Sequence, residues 1–256
     1  MSWFHRAALA ALVLVASTTF AQASARPFTF SYDTYAIGKG NFEYEQWTTW
    51  KTHKPEEHGF DSFEFRHELE YGVADNFTLS LYLPNWSYED SHEKKGTHFD
   101  SVGLEAIVYL TNPVKDPIGI GLYQELDVGD HTLEIETKLL LQKDIGKWTF
   151  VYNMILETEI EGVFSSSSDS EVTGEFNHTL GVQYALRPNL FVGAEALLEF
   201  EYENWSRYEK TNFFAGPVIH WRANEHFWIT ATAMFQITNQ ADEPDFQLRM
   251  IAGWEF

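Results

Sequence analysis

The chain has 256 residues, with 17 Lys plus Arg against 38 Asp plus Glu and a formal net charge of -21 at pH 7. That balance excludes ordinary nucleic-acid binding, which needs a basic surface to displace counterions from phosphates. At 44% hydrophobic and 16% aromatic the chain is too apolar for an acidic disordered protein, and with no Cys it has no thiolate metal ligands, disulfides or thiol nucleophile.

In chain order, residues 1–6 form a short basic start, 7–16 are apolar, and Ala21-Gln22-Ala23-Ser24-Ala25 offers two overlapping A-x-A sites. This predicts a secretory signal peptide over 1–25, cleaved near Ala23 or Ala25. So short an apolar run does not cross about 30 Å of hydrocarbon as a helix, and no other segment approaches the ~18 apolar residues of a helical span. Residues 26–39 carry Phe28, Phe30, Tyr32 and Tyr35. They read either as a plug inside the domain that follows or as a loose periplasmic tail.

From residue 40 to 256 apolar and polar residues alternate with period two. Phe77, Leu79, Leu81 and Leu83 share one face. So do Val192, Ala194, Ala196 and Leu198, with Glu195, Glu199 and Glu201 opposite. Successive side chains of a strand point to opposite faces, so these runs are strands. About twelve are expected, at 40–52, 60–71, 76–88, 97–110, 117–128, 131–143, 147–161, 172–186, 189–203, 208–222, 226–238 and 245–256. Tight connections such as Asp144-Ile145-Gly146 and Arg187-Pro188 alternate imperfectly with longer polar ones at 52–59, 89–96, 164–171 and 239–244. An even strand number, short turns on one rim and long loops on the other predict an all-β, antiparallel, up-and-down transmembrane barrel. A lipocalin-like barrel or a sandwich is the soluble alternative. Aromatic residues at the strand ends favour the membrane form, because such girdles sit at lipid–water interfaces. Tyr71, Phe77, Trp148, Trp221, Phe227 and Trp254 lie toward the short-turn rim, and Trp50, Trp86, Tyr88, Tyr202, Trp205 and Tyr208 toward the other.

The alternating C-terminus, with Trp254 and a final Phe256, resembles the signal by which bacterial outer-membrane barrels are recognised for insertion. That resemblance implies the barrel-assembly machinery and outer-membrane lipid as partners. The segment from Glu68 to Leu79, with Gly72-Val73-Ala74-Asp75-Asn76 at its centre, resembles the strand–turn–strand signature of small proteobacterial outer-membrane barrels of uncertain function. Among these are transporters of the MetA-pathway phenol-degradation type. Leu180 to Glu195 repeats the design, and the resemblance spans about residues 40–256.

Strand parity assigns the acids Glu43, Glu45, Glu64, Glu68, Glu70, Glu105, Glu125, Asp127, Glu134, Glu136, Glu157, Glu159, Glu195, Glu199 and Glu201 to the inner face. The bases Lys51, Arg66, Lys138, Lys210, Arg222 and Arg249 share it. These acids either merely solvate a polar lumen or line a pore for small neutral or cationic solutes, since acidic rings concentrate cations. His67 and His178 fall on the lipid-facing parity without a Ser partner, which suggests interface placement or a local register shift, and Gln46, Gln124 and Thr137 join them as signs of slips at bulges. An enzyme of the outer-membrane phospholipase kind is therefore not expected. Nor is a cofactor, and loop histidines such as His53, His58, His92, His98 and His131 lack fixed metal-ligand spacing. The expected function is a passive pore, with a closed structural barrel as the alternative.

Overall fold

A computed structural model describes residues 25–92, 94–163 and 170–256. All of the expected leader except Ala25 lies outside the described residues. The strands are β1 (Phe42–Lys54), β2 (Glu57–Ala74), β3 (Phe77–Tyr82), β4 (Trp86–Asp90), β5 (Lys95–Phe99), β6 (Ser101–Thr111), β7 (Gly119–Gly129), β8 (Thr132–Ile145), β9 (Trp148–Glu161), β10 (Glu171–Arg187), β11 (Leu190–Glu203), β12 (Arg207–Arg222), β13 (Phe227–Gln236) and β14 (Phe246–Glu255). Each pairs antiparallel with its neighbours, and β1 pairs with both β14 and β2, so the sheet closes. β3 and β4 both lie against β2, and together they make one crossing; β5 and β6 make the next. The barrel therefore has twelve crossings.

The interruption between β3 and β4 has a local cause. Pro84, between β3 and β4, has no N–H to give a ladder. Asn85 and Asp100 bridge the gap instead, with Asn85 N donating to Ser101 O at 2.8 Å and Asp100 N donating to Asn85 O at 2.9 Å. At the opposite rim, Gly146 takes φ +62° and so permits the tight turn between β8 and β9. The expected loop at 52–59 is shorter than its sequence suggests. β1 and β2 continue as a hairpin around Pro55-Glu56, tied to the 237–245 loop by Glu56 N donating to Ala241 O at 2.9 Å and Asp245 N to His53 O at 2.7 Å.

Parity holds along most of each crossing; at the long-loop end of β1 a bulge between Thr52 and Lys54 breaks it, so that Lys51 and Lys54 both line the lumen. The outward face is apolar and uncovered: Leu104 is 59% exposed and Phe235 50%. Such a continuous apolar band suits hydrocarbon and would be an aggregation surface in water. Trp148, Trp221 and Trp254 are exposed near the short-turn rim, and Trp86, Trp205 and Tyr208 near the long-loop rim. All fifteen acids and six bases of the inner face point inward by alternation. The core consists of inward side chains packed on residues 25–37.

Candidate functional site

The N-terminal segment enters from the short-turn rim, arches into the lumen and turns back. Its height follows from its partners, counted along each strand from that rim. Tyr35 Oη donates to Asp144 Oδ2 at 2.6 Å, beside the end of β8, and Thr34 N donates to Gln142 Oε1 at 2.7 Å, two residues higher. Tyr32 N donates to Asn153 Oδ1 at 2.7 Å, and Asn153 Nδ2 donates back to Tyr32 O at 2.9 Å. At the apex Glu195 accepts the backbone N–H groups of Thr29, Phe30 and Ser31 at 3.0, 3.0 and 2.9 Å. Phe30 packs there on Leu197, Phe214 and Met234. The chain then descends: Phe28 packs on Val151 and Val218, Gln183 donates to Pro27 O, and Thr230 Oγ1 donates to Arg26 O at 2.6 Å. Gly181 is needed at this depth, because a Cβ would stand 2.7 Å from the Phe28 ring. Residues 26–35 thus lie inside the barrel, held by contacts that no strand pattern contains.

Register reveals an order among the acids that parity alone does not show. Directly paired residues run Glu43, Glu70, Ser80, Glu105, Glu125, Glu136, Glu157, Glu175, Glu201 and finally Lys210. A second row runs Glu45, Glu68, Tyr82, Gly103, Asp127, Glu134 and Glu159. Barrel strands are tilted, so each perpendicular row climbs the wall like a stair. Glu43 lies one residue from the short-turn end of β1, whereas Glu201 lies eleven from that end of β11. Directly opposed like charges destabilise a sheet, and such rows persist only where counter-charges, hydrogen bonds or water offset them. Glu175 was missed at the sequence level although its parity matches Asn177 and Thr179. Arg26 carried no signal, since it lies outside any strand.

The lower steps are buried and bonded. Glu105 accepts from Tyr82 Oη and from Ser80 Oγ at 3.1 Å, and Trp228 Nε1 donates to Glu43 Oε1 at 2.7 Å. Glu43, Glu45, Glu68, Glu70, Glu105, Glu125, Asp127 and Glu195 are buried, and several of them are held by bases and hydrogen-bond donors rather than by an open lumen. Arg66 bridges Glu125 and Asp127 at 3.2 and 3.3 Å, and Lys138 contacts Glu136 at 2.5 Å. Lys51 pairs with Glu64 at 2.5 Å and Arg222 with Glu255 at 2.9 Å. Arg249 lies over the Phe30 ring at 4.2 Å and donates to Thr49 Oγ1 at 3.0 Å.

Above the plug a cavity of about 940 Å³ opens toward the long loops, with Thr29, Phe30 and Tyr32 as its floor. Glu134, Glu157, Glu159, Glu175 and Glu199 line it half-buried, and among the described residues none has a Lys or Arg within ion-pair distance. Lys210 sits at the top of the stair, 3.2 Å from Glu201, 2.5 Å from Asp242 and 2.6 Å from Glu243. It thereby ties the 237–245 loop to the wall. Asp242 lies in that loop; burial pushes its carboxyl up, but the Lys210 hydrogen bond, a backbone hydrogen bond and the charges of Lys210 and Lys54 together outweigh this and hold it below the usual carboxylate value.

The polar residues on the outward face are not register slips. They face out and satisfy one another: Tyr44 Oη with His67 Nδ1 at 2.8 Å, Tyr152 Oη with His178 Nδ1 at 2.8 Å, and Thr137 Oγ1 donating to Gln124 Oε1 at 2.8 Å. Trp254 packs against Phe227 and Tyr44 at 4.9 and 5.7 Å, and Phe256 N donates to Phe42 O at 2.8 Å.

Residues 20–249 match a family of unknown function (DUF6662). No curated protein matches. Among solved structures the chain is similar to a NanC porin, at 9% identity and TM-score 0.56, covering 82% of this chain and 98% of that one. It is also similar to the translocator domain of the autotransporter NalP from Neisseria meningitidis, at 13% identity and TM-score 0.50, covering 86% and 89%. These likenesses establish the fold as an outer-membrane β-barrel.

Proposed function

We propose that this chain, which belongs to the family of unknown function DUF6662, is a gated passive pore of the bacterial outer membrane. In this reading it admits small neutral or cationic solutes, and residues 26–37 of the processed chain are its plug. The observation that carries it is the outward-opening vestibule, whose five carboxylates have no Lys or Arg at ion-pair distance among the described residues and stand over a floor made of the chain's own N-terminal segment. Low-dielectric walls focus the field of those carboxylates, which enriches cations and repels anions. The exposed apolar band and aromatic girdles support the location.

A closed structural barrel is the second reading, favoured by the density of hydrogen bonds that hold the plug. Planar-bilayer recording separates the two. The pore reading expects intermittent cation-selective openings that are strongest in dilute salt, because the Debye length shrinks from ~10 Å at 0.1 M to ~3 Å at 1 M. Changing Glu134, Glu136, Glu157 and Glu159 together to Gln should reduce selectivity without unfolding the barrel. An anion-selective wild type, or one that stays silent even in the plug-loosening Glu195→Ala variant, would leave the closed barrel as the better account.

A further inference from the structure

The inner end of the plug carries a charge imbalance that the pore reading does not use. Arg26 Nε lies 3.3 Å from Glu45 Oε1, while its Nη2 lies 3.2 Å from Glu70 Oε1 and 3.7 Å from Glu68 Oε2. One guanidinium thus faces three buried carboxylates. Glu68 is the one poorly served: it is fully buried, and neither of its oxygens accepts a hydrogen bond. Arg26 Nη1 is equally without an acceptor, so the fit is poor from both sides. A carboxylate withdrawn from water without hydrogen bonds is among the most costly groups a fold can hold.

The geometry suits a different occupant. One oxygen each from Glu45, Glu68 and Glu70 lies within 4.8 Å of the other two. Oxygens bound to one Ca²⁺ ion at ~2.3–2.6 Å stand no more than ~5.2 Å apart, so a spacing within 4.8 Å lets all three reach a single divalent cation. A donor set made only of carboxylate oxygens selects hard cations. The trio is also held in place: Trp47 Nε1 donates to Glu45 Oε2 at 2.7 Å, fixing that carboxylate from behind. Arg26 Nε and Nη2 occupy the space between the same three groups, so an ion and the guanidinium exclude each other.

We infer that Glu45, Glu68 and Glu70 form a site for a hard divalent cation such as Ca²⁺, for which the Arg26 side chain is the competing occupant, so that the ion frees the inner end of the plug. The consequence for gating rests on the pore reading, while the site itself does not. Calorimetric titration of the refolded, chelator-stripped full barrel with CaCl₂ tests it, with heat-modifiability as the control for folding. Binding should weaken at least about 10-fold in Glu68→Gln and tighten at least about 10-fold in Arg26→Ala, each ~1.4 kcal/mol. It should be unchanged when Glu134, Glu136, Glu157 and Glu159 are all Gln. Binding detectable only in Arg26→Ala also supports the competition. Ca²⁺ binding indifferent to both Glu68→Gln and Arg26→Ala, or no binding in either wild type or Arg26→Ala, would overturn the assignment. A barrel that shows the competition but never conducts keeps the site and removes the pore, whereas conductance without Ca²⁺ binding does the reverse.

Discussion

Replacing Glu195 with Ala should release the apex of the plug. Its carboxylate collects three backbone N–H groups, from Thr29, Phe30 and Ser31, together with the hydroxyls of Thr29 at 3.3 Å and Thr232 at 2.5 Å. A hydrogen bond to a charged group contributes about 1.5–3 kcal/mol, but five donors sharing two oxygens act as one unit and their contributions do not add. Thr29 and Phe30 border the vestibule, so water could re-solvate the freed N–H groups, which limits the loss. Docking of the segment should therefore weaken by about 3–5 kcal/mol, or roughly two to three and a half orders of magnitude. Amide hydrogen exchange read by mass spectrometry over residues 26–37 measures this directly, with β9 and β10 of the same sample as the internal reference. Exchange should accelerate in the plug while the strands stay protected, and Glu195→Gln, which keeps an acceptor oxygen, should fall between. Unchanged exchange at residues 29–31 in a heat-modifiable Glu195→Ala barrel would refute the role given to this carboxylate.

Ala196 faces lipid between Leu180 and Ala215 of the neighbouring strands; Ala196→Arg should cost about 2–4 kcal/mol of barrel stability, measured by unfolding in lipid vesicles. Deleting Phe256 should slow assembly and leave chain in the periplasm, which fractionation after induction would reveal. Asp242 has its carboxyl lowered in the folded protein, so its contribution to loop docking is present above the unfolded value, near 3.8, and is lost as pH falls through the lower folded value. Proteolysis of the 237–245 loop should accept that sign, rising only at strongly acid pH in the wild type, and Lys210→Ala should raise it already at neutral pH.

Much of the fold was legible because strand alternation is a local property, imposed by lipid on one side and by the lumen on the other. Phe77 to Leu83 and Val192 to Leu198 already display it, and every inner-face acid from Glu43 to Glu201 can be assigned by counting in twos. Even the outward Gln46, His67 and His178 kept their parity; partners on the adjacent strand satisfy them, where the sequence suggested a slip. What local pattern cannot encode is register and depth. The acidic stair exists only because closure of the barrel pairs Glu136 with Glu157 and Glu157 with Glu175 on tilted strands. Likewise, the burial of Glu45, Glu68, Glu70 and Glu195 depends on a segment that has no periodicity of its own and is held by residues far along the chain. Gly181 and Gly119, inward glycines of β10 and β7, acquire meaning only once Phe28 and Thr34 are seen against them. The sequence by itself therefore determined a barrel and the two faces of its wall. Whether that wall encloses water or the chain's own N-terminus was decided by long-range contacts, which form only when the barrel closes.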